Sequence, residues 1–223
     1  MTTFTERLRQ VADPIWRQIH EHPFVTEMGN GTLAPDKFAY YMVQDYLYLI
    51  EYCRLFALAA TKAQDLPTMG KFAELLHATL HVEMDLHRQY AAKFGITPEQ
   101  LENAQIAPTA HAYSRHLLHT AQNGTLAEMV TAILPCQWGY HEIALRLQEQ
   151  GGADNGSLYT EWVNMYAAPD FGELSIWLRG WLDGLAANLP EAEQQRLIDL
   201  YLTGSRYEWM FWDMSYRQEE WPV

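Results

Sequence analysis

Apolar residues return every three or four positions along almost the whole chain, and no run of strict alternation is long enough to compete with that period. The pattern predicts helices over roughly 4–21, 36–63, 68–94, 108–122, 125–150, 157–167, 171–187 and 190–217. Breakers fall between them: Gly29-Asn30-Gly31-Thr32 with Pro35, Gly95 with Pro98, Gly151-Gly152 with Asn155-Gly156, and Asn188 with Pro190. There is no repeat, low-complexity tract or long linker. The expectation is an all-α chain, with residues 1–223 forming a single-domain helical bundle.

Polar residues that fall on the apolar stripes carry more information than the stripes themselves, because a buried carboxylate is costly unless paired or hydrogen-bonded. Phe38, Tyr41, Met42, Tyr48, Leu49, Tyr52 and Phe56 mark the inward face of the second predicted helix, and Asp45 sits inside that stripe. In the last helix Leu197, Leu200, Tyr201, Gly204 and Phe211 share a face with Glu208. In the fifth, Ile133, Cys136, Tyr140, Ile143 and Leu147 line up, with Cys136 and Tyr140 one turn apart. Singly, each has an ordinary meaning. A cysteine on an apolar face is usually an inert small hydrophobe, and an inward acid usually partners an arginine, a tyrosine or a backbone group. Together, one cysteine, two carboxylates and several tyrosines resemble a nucleophile, an acid/base and ligand-orienting groups. Pro135 lacks an N–H and presses on the preceding turn, so a kink beside Cys136 is expected.

The third predicted helix offers a different constellation. Glu83 and His87 are one turn apart on a stripe with Phe72, Leu76, Leu80, Tyr90 and Phe94, and Glu142 follows in the fifth helix. Carboxylates and histidines on facing bundle helices build di-iron sites. A complete set needs ligands from a further helix, and the seventh, FGELSIWLRGWLDGL, has no histidine. The expected metal set is therefore none.

Composition narrows the class. Hydrophobic residues at 48% and charged residues at 19% give a globular balance. A formal net charge of -13 argues against nucleic acid, since phosphate binding needs clustered Lys and Arg. Cys53 and Cys136 are the only cysteines, neither a disulfide framework nor a zinc pattern, and they suit a reducing cytoplasm. MTTFTERLRQ has charge and no apolar core, so no signal peptide is read there, and no apolar run approaches the roughly 20 residues that span a bilayer.

Three segments resemble a known family. HPFVTEMGNGTLAPDKFAYYMVQDYLYLIEYCRLFALAATKA is similar to the N-terminal signature of the TenA/thiaminase II family, LPCQWGYHEIA to its catalytic cysteine segment, and YEWMFWDMSY to its C-terminal glutamate segment. The likeness runs over essentially the whole chain, in the same order. It implies a heme-oxygenase-like bundle without heme, assembled as a homotetramer, and needing no metal or organic cofactor. The implied activity is aminopyrimidine aminohydrolase, with thiaminase II as a related activity, in thiamin salvage. The reaction would convert 4-amino-5-aminomethyl-2-methylpyrimidine and water into 4-amino-5-hydroxymethyl-2-methylpyrimidine and ammonia.

The resemblance also implies roles. Cys136 matches the nucleophile and Glu208 the glutamate that meets the pyrimidine ring and exchanges protons. Asp45 matches the aspartate that holds the exocyclic amine, and Tyr48 an aromatic pocket position where some members have Phe. Tyr113, Tyr140 and Tyr166 match pocket tyrosines. Relatives lacking the cysteine exist, so Cys136 places the chain in the cysteine-bearing branch. Two alternatives stay open: a non-catalytic pyrimidine-binding or regulatory protein, and a metal-dependent oxidative member of the same fold.

Overall fold

Proline begins many of the helices, where its missing N–H is one that no helix bond would have used. The computed structural model describes residues 2–152 and 156–223. Its helices are α1 (Phe4–His20), α2 (Pro23–Asn30), α3 (Pro35–Lys62), α4 (Leu66–Ala78), α5 (Met84–Lys93), α6 (Pro98–Glu102), α7 (Pro108–Asn123), α8 (Leu126–Glu149), α9 (Thr160–Ala167), α10 (Pro169–Ala186) and α11 (Glu191–Arg217). The described residues are 82% helical, with no strand among them. The all-α expectation is met, and no described helix is long and apolar enough to cross a membrane.

Three boundaries differ from the sequence reading. Residues 23–30 form α2, and the Gly29-Asn30-Gly31-Thr32 break acts only at its end, where Gly31 takes the left-handed φ of 74°. Residues 98–102 form the short α6, capped by Thr97. The helix expected over 68–94 is interrupted by a π turn, Thr79–Glu83, where the Met84 N–H reaches back five residues to the Thr79 carbonyl. That extra residue rotates the faces of α5 relative to those of α4. Leu80, expected inside, is 43% exposed, while Thr79, Met84 and His87 are buried. Asn155, expected to help close the fifth helix, lies outside the described residues.

The chain divides into two compact units. The first takes Met1–Leu33 and Val130–Asp213. Here α1 packs on α2 and α10, and α9 on α10. Trp16 is fully buried and donates its indole N–H to Ser205 Oγ of α11 at 3.2 Å. Arg9 binds both oxygens of Glu142 on α8, at 2.6 and 3.1 Å. Thr5 donates its backbone N–H and its hydroxyl to Asp183 of α10. Polar pairs of this kind fix which helix faces which, while the apolar stripes supply most of the burial energy, about 2 kcal/mol for each large side chain removed from water.

The second unit takes Ala34–Met129 and Met214–Val223. Its axis is α3, which packs on α4, α5, α6 and α7. The predicted stripe of α3 is the observed one: Phe38, Tyr41, Met42, Tyr48, Leu49, Tyr52 and Phe56 are all buried. The chain's end does structural duty as well. Ala107 gives α7 no side-chain cap, and the Glu219 carboxylate accepts the Thr109 N–H instead, at 2.9 Å. Trp221 donates its indole N–H to the Ile106 carbonyl beside it.

Candidate active site

Cys136 and Glu208 lie on α8 and α11, which meet in the first unit at two places. A Cβ built on Gly204 would come 2.9 Å from Pro135 Cγ and 3.3 Å from the Ala132 carbonyl oxygen, so α11 lies directly on the Pro135 turn of α8. Further along, the Tyr140 and Trp212 rings lie 5.3 Å apart. Cys136 falls between Pro135 and Tyr140, and Glu208 falls one turn from both Gly204 and Trp212. The two contacts therefore bracket the nucleophile candidate on one helix and the acid/base candidate on the other. Glu208 is 4% exposed, and Cys136 is half-buried. Pro135 stands inside an α8 that continues through it.

The two cysteines are distinguished by their surroundings. Cys53 is buried on α3, and burial, with the charge of Glu83 adding, pushes its thiol up to about 11. Both influences disfavour the thiolate, which is the nucleophilic form. Cys136 keeps part of its surface exposed.

Tyr140 and Tyr166 belong to an aromatic cluster in the same unit. Tyr140 meets Tyr166 edge-on at 5.0 Å and Trp162 at 5.8 Å, and Trp162 meets Tyr166 at 4.7 Å. The Tyr166 carbonyl is 2.7 Å from His141 Nδ1, which ties α9 to α8. Periodicity marks Trp162 and Trp212 only as core, and the sequence does not single them out. Packing alone shows that they wall the two tyrosines.

The second unit gathers Asp45, Tyr48 and Tyr113. Tyr48 stacks near Tyr52 at 5.8 Å and meets Tyr113 of α7 at 5.3 Å. Asp45 is 3% exposed. Its Oδ2 accepts the Tyr41 hydroxyl at 3.1 Å and lies 2.7 Å from His87 Nε2. His87 Nδ1 in turn lies 3.0 Å from the Glu83 carbonyl oxygen. The Glu83 carbonyl only accepts, so Nδ1 carries a proton, and Nε2 and Asp45 Oδ2 share one between them. Burial opposes a charge on His87. The hydrogen bond and charge of Asp45, joined by the charge and carbonyl of Glu83, outweigh it and hold the ring above the usual histidine value.

Glu83 and His87 thus serve a different arrangement from the one their spacing suggested. His87 directs its ring at Asp45, and Glu142 binds Arg9. Among the described residues, no group of three or more His, Cys, Asp or Glu side chains is placed to hold a metal ion. Glu83 is half-buried, and burial first, with the Asp45 charge adding and His87 opposing, pushes its carboxyl up to about 7.

Comparison with known proteins agrees in both sequence and structure. The model of the TENA/THI-4/PQQC family matches residues 9–218. A Halalkalibacterium halodurans protein named aminopyrimidine aminohydrolase is 47% identical over 98% of both chains. A Bacillus subtilis protein of the same name is 34% identical over 98% of this chain and 92% of its own. The TenA homologue of P. horikoshii OT3 superposes with a TM-score of 0.90 at 32% identity, over 96% of this chain and 99% of that one. A Shewanella denitrificans domain with a heme oxygenase-like fold, 15% identical, matches at a TM-score of 0.72, which extends the likeness of fold to that architecture. The chain belongs to the TENA/THI-4/PQQC family.

Proposed function

We propose that this protein is an aminopyrimidine aminohydrolase of thiamin salvage, with thiaminase II as a related activity. The observation that carries the reading is the 47% identity, along nearly the full length of both chains, to a protein of that name. The Pro135–Gly204 and Tyr140–Trp212 contacts, which bracket Cys136 and Glu208, support it.

The chemistry asks for three things that these residues can supply. An aminomethyl group on an aromatic ring is a poor target for direct displacement. The Cys136 sulfur adds to a ring carbon while Glu208 gives a proton to a ring nitrogen, so that the ring loses its aromaticity. The electrons then expel the aminomethyl nitrogen, which enters as the ammonium form and leaves as ammonia, and the water that adds next releases one proton to solvent. Water adds at the exocyclic carbon, Glu208 takes the ring proton back, and the departing thiolate restores the ring. The family resemblance gives Asp45 the role of accepting from the 4-amino group, and gives Tyr48, Tyr113, Tyr140 and Tyr166 the role of aromatic pocket residues.

The deciding experiment is a side-by-side turnover assay on 4-amino-5-aminomethyl-2-methylpyrimidine and on thiamin. Release of ammonia and the hydroxymethyl pyrimidine from the first, at higher kcat/KM than cleavage of the second, is the expected result. Binding of the pyrimidine without turnover would leave only a binding protein.

The same reading makes the protein a cytoplasmic homotetramer. Thiols at both cysteines suit a reducing compartment, and Ile176 and Leu185 on α10 leave apolar surface exposed for a neighbouring subunit. Light scattering after gel filtration gives the mass that decides the assembly.

A further inference from the structure

Asp45 is bound in an asymmetric way. Both of its donors, the Tyr41 hydroxyl and the His87 ring, converge on Oδ2, and Oδ1 has no donor among the described residues. The carboxylate is nonetheless buried, with its side chain 4% exposed and that of His87 3% exposed. Oδ1 is not among the fully buried atoms left without a partner, so it keeps open surface at which a ligand can supply a donor.

The groups around His87 fix what that ligand can be. From α3, Asp45 and Tyr41 face the site; from the π turn, Glu83 presents its carbonyl to Nδ1 and its carboxyl nearby. The Glu83 carbonyl can only accept, so Nδ1 carries a proton, and Nε2 is the nitrogen that shares a proton with Asp45 Oδ2. The contacts with Asp45 and Glu83 hold the ring above the usual histidine value, so the shared proton stays on His87 and Oδ1, as a carboxylate oxygen, accepts. The π turn matters here, because it rotates His87 inward while leaving Leu80 outside.

We propose that His87 is a positioning residue that locks Asp45 as a pure hydrogen-bond acceptor, so that the site takes a heteroaromatic ring bearing an amino group and rejects the oxo counterpart. The inference rests on the reading of Asp45 as the residue that meets the ring's amino group. A purely structural ion pair would lower stability on removal without changing which ring is preferred.

The test compares binding of 4-amino-5-hydroxymethyl-2-methylpyrimidine with binding of its 4-oxo analogue, by calorimetry, in the wild-type protein, H87F, H87Q, D45N and the D45N/H87F double variant. H87F removes both donors and should cut the amino-over-oxo preference about tenfold or more, the scale of a hydrogen bond to a charged group. H87Q keeps one donor and should recover much of that preference. In the D45N background H87F should change the ratio by less than about twofold, because two residues acting through one group are not additive. An H87F ratio equal to wild type, with D45N altered, would overturn the positioning role and leave Asp45 in place. A D45N ratio equal to wild type would overturn the reading of Asp45 itself. Should H87F fail to fold, nitrogen-15 NMR of the wild-type protein at neutral pH decides. A His87 ring protonated on both nitrogens supports the lock, and a neutral ring overturns it.

Discussion

His87 Nε2 lies 2.7 Å from Asp45 Oδ2, and the two side chains are among the least exposed charged groups of the chain. Burial alone would drive His87 to its neutral form, and the hydrogen bond and charge of Asp45, joined by the charge and carbonyl of Glu83, reverse that direction. Asp45→Asn keeps the shape and removes the charge. The His87 pKa should then drop below the usual histidine value, as followed by the pH dependence of its ring resonances in NMR. A His87 that stays raised in this variant would show that Asp45 is not the cause.

Glu83 makes stability depend on pH in an unusual direction for a carboxyl. Its folded pKa of about 7 is above the ordinary 4.5, so the folded state holds the proton more tightly. The contribution is fully present below the unfolded value and is lost as pH rises through about 7. Above that, a charge is held beside Asp45 and the Cys53 thiol, with His87 alone opposing. Glu83→Gln should leave urea stability little changed at low pH and become relatively stabilising in mildly alkaline buffer, by on the order of 3 kcal/mol at most. Equal differences at both pH values would refute the shift.

Cys136→Ser should retain the helical fold and melting temperature to within a few degrees, because a half-buried thiol contributes little packing. Its turnover on the aminomethyl pyrimidine should drop by about a thousandfold or more, since serine lacks a stabilised anion at neutral pH. Circular dichroism and ammonia release measure the two arms. Near-normal turnover would remove the nucleophile role.

Gly204→Ala tests the helix contact beside the bracketed pair. The new methyl would press on Pro135 Cγ and the Ala132 carbonyl, a ring and a backbone group that cannot simply swing away. The expected cost is about 1–3 kcal/mol in urea unfolding. If this contact sets the spacing of Cys136 and Glu208, kcat falls and KM changes little. An unchanged kcat with lowered stability would separate packing from catalysis.

Much of the fold is legible in the sequence because its cues are local. The α3 stripe from Phe38 to Phe56 repeats with the helical period, and a local period survives without knowledge of any neighbour. Helix α2 escapes because its eight residues are too few to display a period, and its Gly29 and Asn30 look like a break. The π turn escapes for a different reason. Thr79–Glu83 carries no breaker, and only packing makes the extra residue worthwhile.

The sequence by itself determined the helical class, the inward placing of Asp45, Tyr140 and Glu208, and, through three resembling segments, the family. All of these are written in spacing along one helix or in the order of residues. Tertiary structure alone decided which partners the polar groups take. Glu83, His87 and Glu142 have the spacing of metal ligands, yet His87 goes to Asp45 and Glu142 to Arg9. Cys53 and Cys136 are both lone cysteines in the sequence, and the fold buries the first while leaving part of the second exposed. A hydrogen bond depends on distances between helices, and those distances arise from packing that no single helix encodes.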